Sequence, residues 1–185
     1  DPQIRHHAAI ALGFWNGNRV EELLDKLAQD DGQGKPVIVE ASVKEAKAAA
    51  QEAKQAGKPV PQSFLPKARS PEHFRRQIRY QAVTALAMRG SQRTENYLPL
   101  LQKMLDVDHL MKEMTFDGKV AEGMVQATLM GAMRGTAKLV QKQPKLVDAS
   151  IRQSIEKLTK HPNSTINTEA KTTMLVLNKH PLPTK

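Results

Sequence analysis

Apolar residues recur in this chain at helical spacing, and the same residues recur with them. Ile4-Arg5-His6-His7-Ala8-Ala9-Ile10-Ala11-Leu12 aligns without a gap on Ile78-Arg79-Tyr80-Gln81-Ala82-Val83-Thr84-Ala85-Leu86. The identities fall at Ile, Arg, Ala, Ala and Leu, and all but the Arg share one face of a helix. Small Ala residues on that face predict close approach of a neighbouring helix. A second stripe follows each copy, Val20, Leu23, Leu24 and Leu27 after the first and Tyr97, Leu100, Leu101 and Met104 after the second. Between the paired stripes stand Asn16-Gly17-Asn18 and Arg89-Gly90-Ser91, where Gly supplies a left-handed turn. Asn18 with Glu21 predicts a capping box. Each unit therefore reads as a helical hairpin.

A third copy is visible at a constant offset of 45, where Gln126-Ala127 and Ala132-Met133-Arg134-Gly135 match Gln81-Ala82 and Ala87-Met88-Arg89-Gly90. Its second helix is expected near residues 146–158, on Leu146, Ile151, Ile155 and Leu158. Ile166, Ala170, Thr173 and Met174 repeat the spacing of Ile4, Ala8, Ala11 and Leu12, and Pro181-Leu182-Pro183 ends that last helix. The expected fold is all-α: one domain, an α-solenoid of stacked antiparallel helical hairpins at about 1–31, 71–106 and 119–159, with a last helix at 164–179. The first two copies are 74 residues apart, whereas such units run about 30 to 47 residues. Residues 32–70 are thus one long insertion, with Ser42-Val43-Lys44-Glu45 capping an Ala-rich surface helix that runs to about Ala56. It reads either as a tolerated loop or as a flap over one edge of the stack.

Asp1-Pro2-Gln3-Ile4-Arg5-x-x-Ala8-Ala9-x-Ala11-Leu12-Gly13 resembles the HEAT-like repeat of the phycobilisome-lyase type, whose pattern is D-P-x-V-R-x-x-A-A-x-A-L-G. Asp1 suits a helix cap and Pro2 the first helical position. The later copies lack Asp-Pro. The resemblance implies an α-solenoid binding scaffold and no particular chemistry, because such repeats serve many unrelated tasks.

Composition supports helices. Hydrophobic residues make up 39% and aromatics 4% of 185 residues, and Ala, Leu and Met supply most of the apolar material. Zero cysteines exclude disulfides, thiolate metal sites and a Cys nucleophile. No apolar run is long enough to span a bilayer, and no signal peptide is visible. A start at Asp1 and not Met points to an excised domain or processed product, and the sequence names no cell compartment.

Motifs that carry chemistry are mostly wanting. Gly32-Gln33-Gly34-Lys35 lacks the glycine and hydroxyl spacing of a phosphate loop, having Gln29 and Pro36 at the two positions. Adjacent His6 and His7 diverge on a helix and do not converge on one metal. In Asp106-Val107-Asp108-His109 a calcium loop would want an oxygen ligand and a glycine where Leu110 and Met111 stand, so an Asp capping a short helix is the plainer reading. Asn163-Ser164-Thr165 reads as a turn and helix cap before Ile166. Trp15, beside Phe14, reads as core or as an exposed anchor. No catalytic residue, metal ligand or cofactor is expected.

Charge is the most suggestive feature. The net charge is +9, yet residues 1–31 carry a balance of −3, so the rest of the chain sums to +12. Lys67, Arg69, Arg75, Arg76 and Arg79 cluster at the opening of the second copy, and Lys119, Arg134, Lys138, Lys142 and Lys145 form a second stretch. They are either a solvated face or a stripe facing an anion or partner, since stacked repeats align equivalent positions in rows. Lys67, Arg69, Arg75, Arg76, Arg79, Arg134 and Lys138 are the candidate binding residues. The expected function is a non-catalytic scaffold that binds a protein in a groove of the second helices. Two alternatives stay open. One is a basic module binding nucleic acid, with an enzymatic variant because some helical-repeat proteins are DNA-base glycosylases. The other is a segment of a larger multidomain protein, partnered by further repeats of the same parent chain.

Overall fold

In the computed structural model, residues 12, 19–29, 51, 55, 71–116 and 118–182 are described. Seven α-helices lie among them: α1 (Val20–Ala28), α2 (Pro71–Arg89), α3 (Thr94–Met104), α4 (Val107–Glu113), α5 (Glu122–Lys142), α6 (Ala149–Leu158) and α7 (Ser164–Asn178). The described residues are all-α apart from one small antiparallel ribbon, β1 (Thr115–Phe116) paired with β2 (Lys119–Val120). Gly118 turns the ribbon at φ 72°.

The helices pack in two rows. The long helices α2, α5 and α7 lie side by side in chain order, and α1, α3 and α6 touch one another in chain order as a second row. Helix α1 also packs on α2, α3 on α2, and α6 on α7. Helices α5 and α6, expected as a third hairpin, pack little on each other: a 3-10 turn at Pro144–Leu146 packs on α5, and α6 beyond it docks chiefly on α7. Proline at the start of that turn cannot prolong α5, which separates the two helices.

The repeated apolar positions make the core. Ile78, Ala82 and Leu86 of α2 are fully buried, as are Tyr97, Leu101 and Met104 of α3. In the later copies Ala132, Met133, Ala170 and Thr173 are buried too. A fully buried Leu contributes roughly 1.5–3 kcal/mol over an exposed one, so this stripe fixes which face each helix turns inward. Small residues set the distance between α2 and α5. A Cβ on Gly135 would lie 3.1 Å from Ala87 Cβ, and one on Gly131 would lie 3.1 Å from Thr84 Oγ1. At the end of α2, Gly90 takes φ 68°, and a Cβ there would come within 2.7 Å of Lys142 Cβ.

Caps define several boundaries. Asp106 Oδ1 accepts from the His109 amide at 3.1 Å, and Asp148 Oδ1 from that of Ile151 at 2.9 Å. Asn163 Oδ1 accepts from Thr165 and Ile166 at 3.0 and 3.3 Å, the cap expected there. The capping box expected of Asn18 and Glu21 rests on Asn18, which lies outside the described residues. Arg19 holds the N-cap position without a side-chain hydrogen bond, and Glu21 accepts from Ser91 Oγ at 2.8 Å. Leu23, expected in the buried stripe of α1, is 45% exposed.

The first copy of the repeat, Trp15 with Phe14, and the Asn16–Asn18 break lie outside the described residues, save Leu12, which packs against the core. So does the 32–70 insertion with its Ser42–Glu45 cap, save Gln51 and Gln55, which are helical and exposed. None of the described helices is long and apolar enough to cross a membrane.

Candidate binding groove

The structure separates the basic residues that the sequence grouped. Lys67 and Arg69 lie outside the described residues. Arg76 Nε stands 3.3 Å from Glu113 Oε2, and the guanidinium carbon lies 5.4 Å from the Phe116 ring centroid. This cation, held by a carboxylate and an aromatic face, ties α2 to α4 and the ribbon. Arg79 Nε donates to the Ala28 carbonyl at 3.1 Å, at the C-terminus of α1. Arg75 is partly exposed, and among the described residues Arg76 is the member of this trio with a charged partner.

Two more cations repeat the role of Arg79. Lys142 Nζ donates to the Arg89 carbonyl at 3.3 Å, closing the C-terminus of α2. Arg152 on α6 donates from Nη1 to the Leu177 carbonyl at 2.8 Å and from Nη2 to that of His180, closing α7. Helix C-termini carry partial negative charge and unpaired carbonyls, so a cation from the neighbouring helix satisfies both. Burial holds the Arg152 pKa below its ordinary value. Part of the basic excess is thus structural.

Arg134 and Lys138 fall elsewhere and fall together. With Lys142 they stand four residues apart along α5, so one face carries all three cations over about 12 Å of helix. They edge a groove of about 460 Å³ between the C-terminal part of α2, α5 and α7. Its floor includes Met88, Ala137 and Val176, and Met88 is 37% exposed. Glu169 on α7 is the one acid lining it. Glu169 Oε2 accepts from Arg134 Nη2 at 2.8 Å and from Nε at 3.1 Å. This hydrogen bond holds the Arg134 pKa above its ordinary value. The arrangement can do two things at once: cover an apolar side chain and neutralise a carboxylate. The groove lies on the row of long first helices, whereas the second helices were expected to form it. In that second row Leu24 of α1, Leu101 of α3 and Ile155 of α6 turn into the core.

A second cleft, of about 330 Å³, opens between α4, β2 and the starts of α5 and α7, and Val107, Met111, Val120, Gln126, His161 and Ile166 line it. His161 Nδ1 accepts from the Asn163 amide at 3.1 Å, so a neutral ring carries its proton on Nε2. Among the described residues no group of three or more His, Asp or Glu side chains could hold a metal ion.

Lys142, Glu169 and Met88 are among the groove residues that the candidate set lacked. Lys142 shares a four-residue spacing with Arg134 and Lys138, which was legible; Glu169 comes from another helix, and no local signal marks it. No family model matches the chain, and comparisons with curated proteins and with solved structures found no match.

Proposed function

We propose that the chain is a non-catalytic binding scaffold, a HEAT-like stack of helical hairpins that holds a protein partner on its surface. The two rows of helices in chain order support the stack, because repeats that touch only their neighbours produce that order. The single observation that carries the binding reading is the groove across α2, α5 and α7. Its apolar floor of Met88, Ala137 and Val176 is edged by Arg134, Lys138 and Lys142. Protein interfaces combine an apolar centre with a polar rim in this way.

A nucleic-acid surface asks for different features, namely a run of uncommitted cations and aromatic faces for base stacking. Here Arg76, Arg79 and Arg152 are engaged within the protein, and no aromatic residue lines the groove. The test is fluorescence anisotropy with a labelled DNA duplex and a labelled single strand, at low and then physiological salt. The scaffold reading predicts at most weak binding, lost on raising salt. Micromolar binding that persists at physiological salt, and that weakens when Arg75, Arg76 and Arg79 are changed to Ala, would replace it with the nucleic-acid reading.

A further inference from the structure

We infer that the groove across α2, α5 and α7 takes an acidic amphipathic helix of a partner protein, one of whose carboxylates displaces Glu169 from Arg134. This deepens the scaffold reading and rests on it.

Charge complementarity identifies the occupant. The cations at 134, 138 and 142 stand on one face of α5 at four-residue intervals. A helix laid alongside presents its own side chains at the same intervals, about 6 Å apart, so acids spaced four apart meet all three. Leucine-sized residues on its adjoining face then cover Met88, Ala137 and Val176, which water reaches in the free protein. With three cations against one carboxylate, the groove carries uncompensated positive charge. An apolar partner would leave those cations facing an uncharged surface. A phosphate backbone would leave the floor uncovered.

Glu169 already occupies the place of such a carboxylate. Only its Oε2 engages Arg134, which donates to that one oxygen from Nε and Nη2. An incoming carboxylate can offer both oxygens, the stronger two-bond geometry for a guanidinium. The Arg134 side chain is 54% exposed, so an incoming carboxylate can reach its guanidinium, while Glu169, 17% exposed, sits deeper in the groove wall. Glu169 is therefore a built-in competitor. It neutralises Arg134 when the groove is empty and weakens every acidic ligand that enters.

The probe is a fluorescein-labelled helical peptide with Leu at core spacing and Glu elsewhere, read by anisotropy at physiological salt. Wild type, Lys138→Glu, Glu169→Gln and Glu122→Gln are compared. Glu122 is exposed at the other end of α5, about 18 Å along the helix from Arg134, and its change alters net charge by the same amount as Glu169→Gln. The expected result is peptide binding by wild type, about tenfold weaker for Lys138→Glu and about threefold tighter for Glu169→Gln, with Glu122→Gln nearly unchanged. Equal gains from Glu169→Gln and Glu122→Gln, or no gain from either, would overturn the competitor role while leaving the scaffold reading intact. Unaltered affinity in Lys138→Glu would overturn the groove as the site. A wild-type protein that ignores the peptide overturns the inference, and if it binds the duplex tightly the scaffold reading falls with it.

Discussion

Ser91 donates a 2.8 Å hydrogen bond from Oγ to Glu21 Oε2 across 70 residues of sequence. It thereby fastens α1 to the turn between α2 and α3. Arg89 Nε, 3.9 Å from Glu21 Oε1, holds the same carboxylate from the other side. Ser91 is 1% exposed, so its removal leaves a partly buried carboxylate short of a partner. Ser91→Ala is expected to cost about 1–3 kcal/mol in urea unfolding, whereas Ser154→Ala, on α6 with no hydrogen bond from its hydroxyl among the described residues, should change stability little.

The same turn gives the fold a sensitivity to alkali. Tyr97 OH donates to the Ser91 carbonyl at 2.7 Å, and burial, with Glu21 nearby, pushes the phenol pKa from 10.0 up to about 12. At neutral pH the phenol is protonated in both folded and unfolded chains. Between pH 10 and 12 the unfolded chain loses this proton first, so stability falls as pH rises through that window. Tyr97→Phe should cost about 1 kcal/mol at pH 7 through the lost hydrogen bond, yet show a shallower decline over the alkaline window. Tyr80, whose pKa burial also raises, remains in both proteins, so the difference between their unfolding curves isolates Tyr97.

Two glycines of α5 should respond in opposite directions. At Gly135 a Cβ meets Ala87 Cβ at 3.1 Å, and the extra methyls of Val would push α2 and α5 apart. Gly135→Val is expected to destabilise by about 1–3 kcal/mol. At Gly123 a Cβ meets nothing within 4 Å, so Gly123→Ala should stabilise by about 0.4–1 kcal/mol through restriction of the unfolded chain. Thermal unfolding of the two variants separates these effects. Equal behaviour would mean that the two helices are not in close contact.

The sequence and the structure agree where physics is local. Ile78, Ala82 and Leu86 were legible as a buried face because spacing along a single helix decides it, and Asn163 was legible as a cap because its amides lie within three residues. The ribbon was legible but not anticipated: Asp117-Gly118 stands between Thr115-Phe116 and Lys119-Val120, a common hairpin signal, whereas the third unit was expected to start at 119. The bond from Ser91 to Glu21 was not legible, because its partners stand 70 residues apart. The basic cluster was divided by the fold for a similar reason: residues adjacent on α2 reach different helices, Arg76 to Glu113 and Arg79 to Ala28. Glu169 could be joined to Arg134 only once α7 lay against α5.

The most local of these features makes a simple prediction. Asn163→Ala removes the acceptor for two amides at the start of α7 and should cost about 1 kcal/mol, whereas Asn163→Asp should be nearly neutral or better, an acid there facing the positive end of the helix. Urea midpoints of the two variants check both signs. Asn163 does not line the groove, so Asn163→Ala should leave peptide affinity unchanged in conditions where the protein stays folded.

The claim that the groove is the binding surface is tested most directly by mapping where a ligand lands. Backbone amide shifts of the isotope-labelled protein would be followed during titration with the acidic amphipathic peptide. Progressive shifts are expected at Met88, Lys138, Thr172 and Val176, with little change at Val107, Val120 and Ile166 in the other cleft. Shifts centred on that second cleft, or no shifts at all, would contradict it.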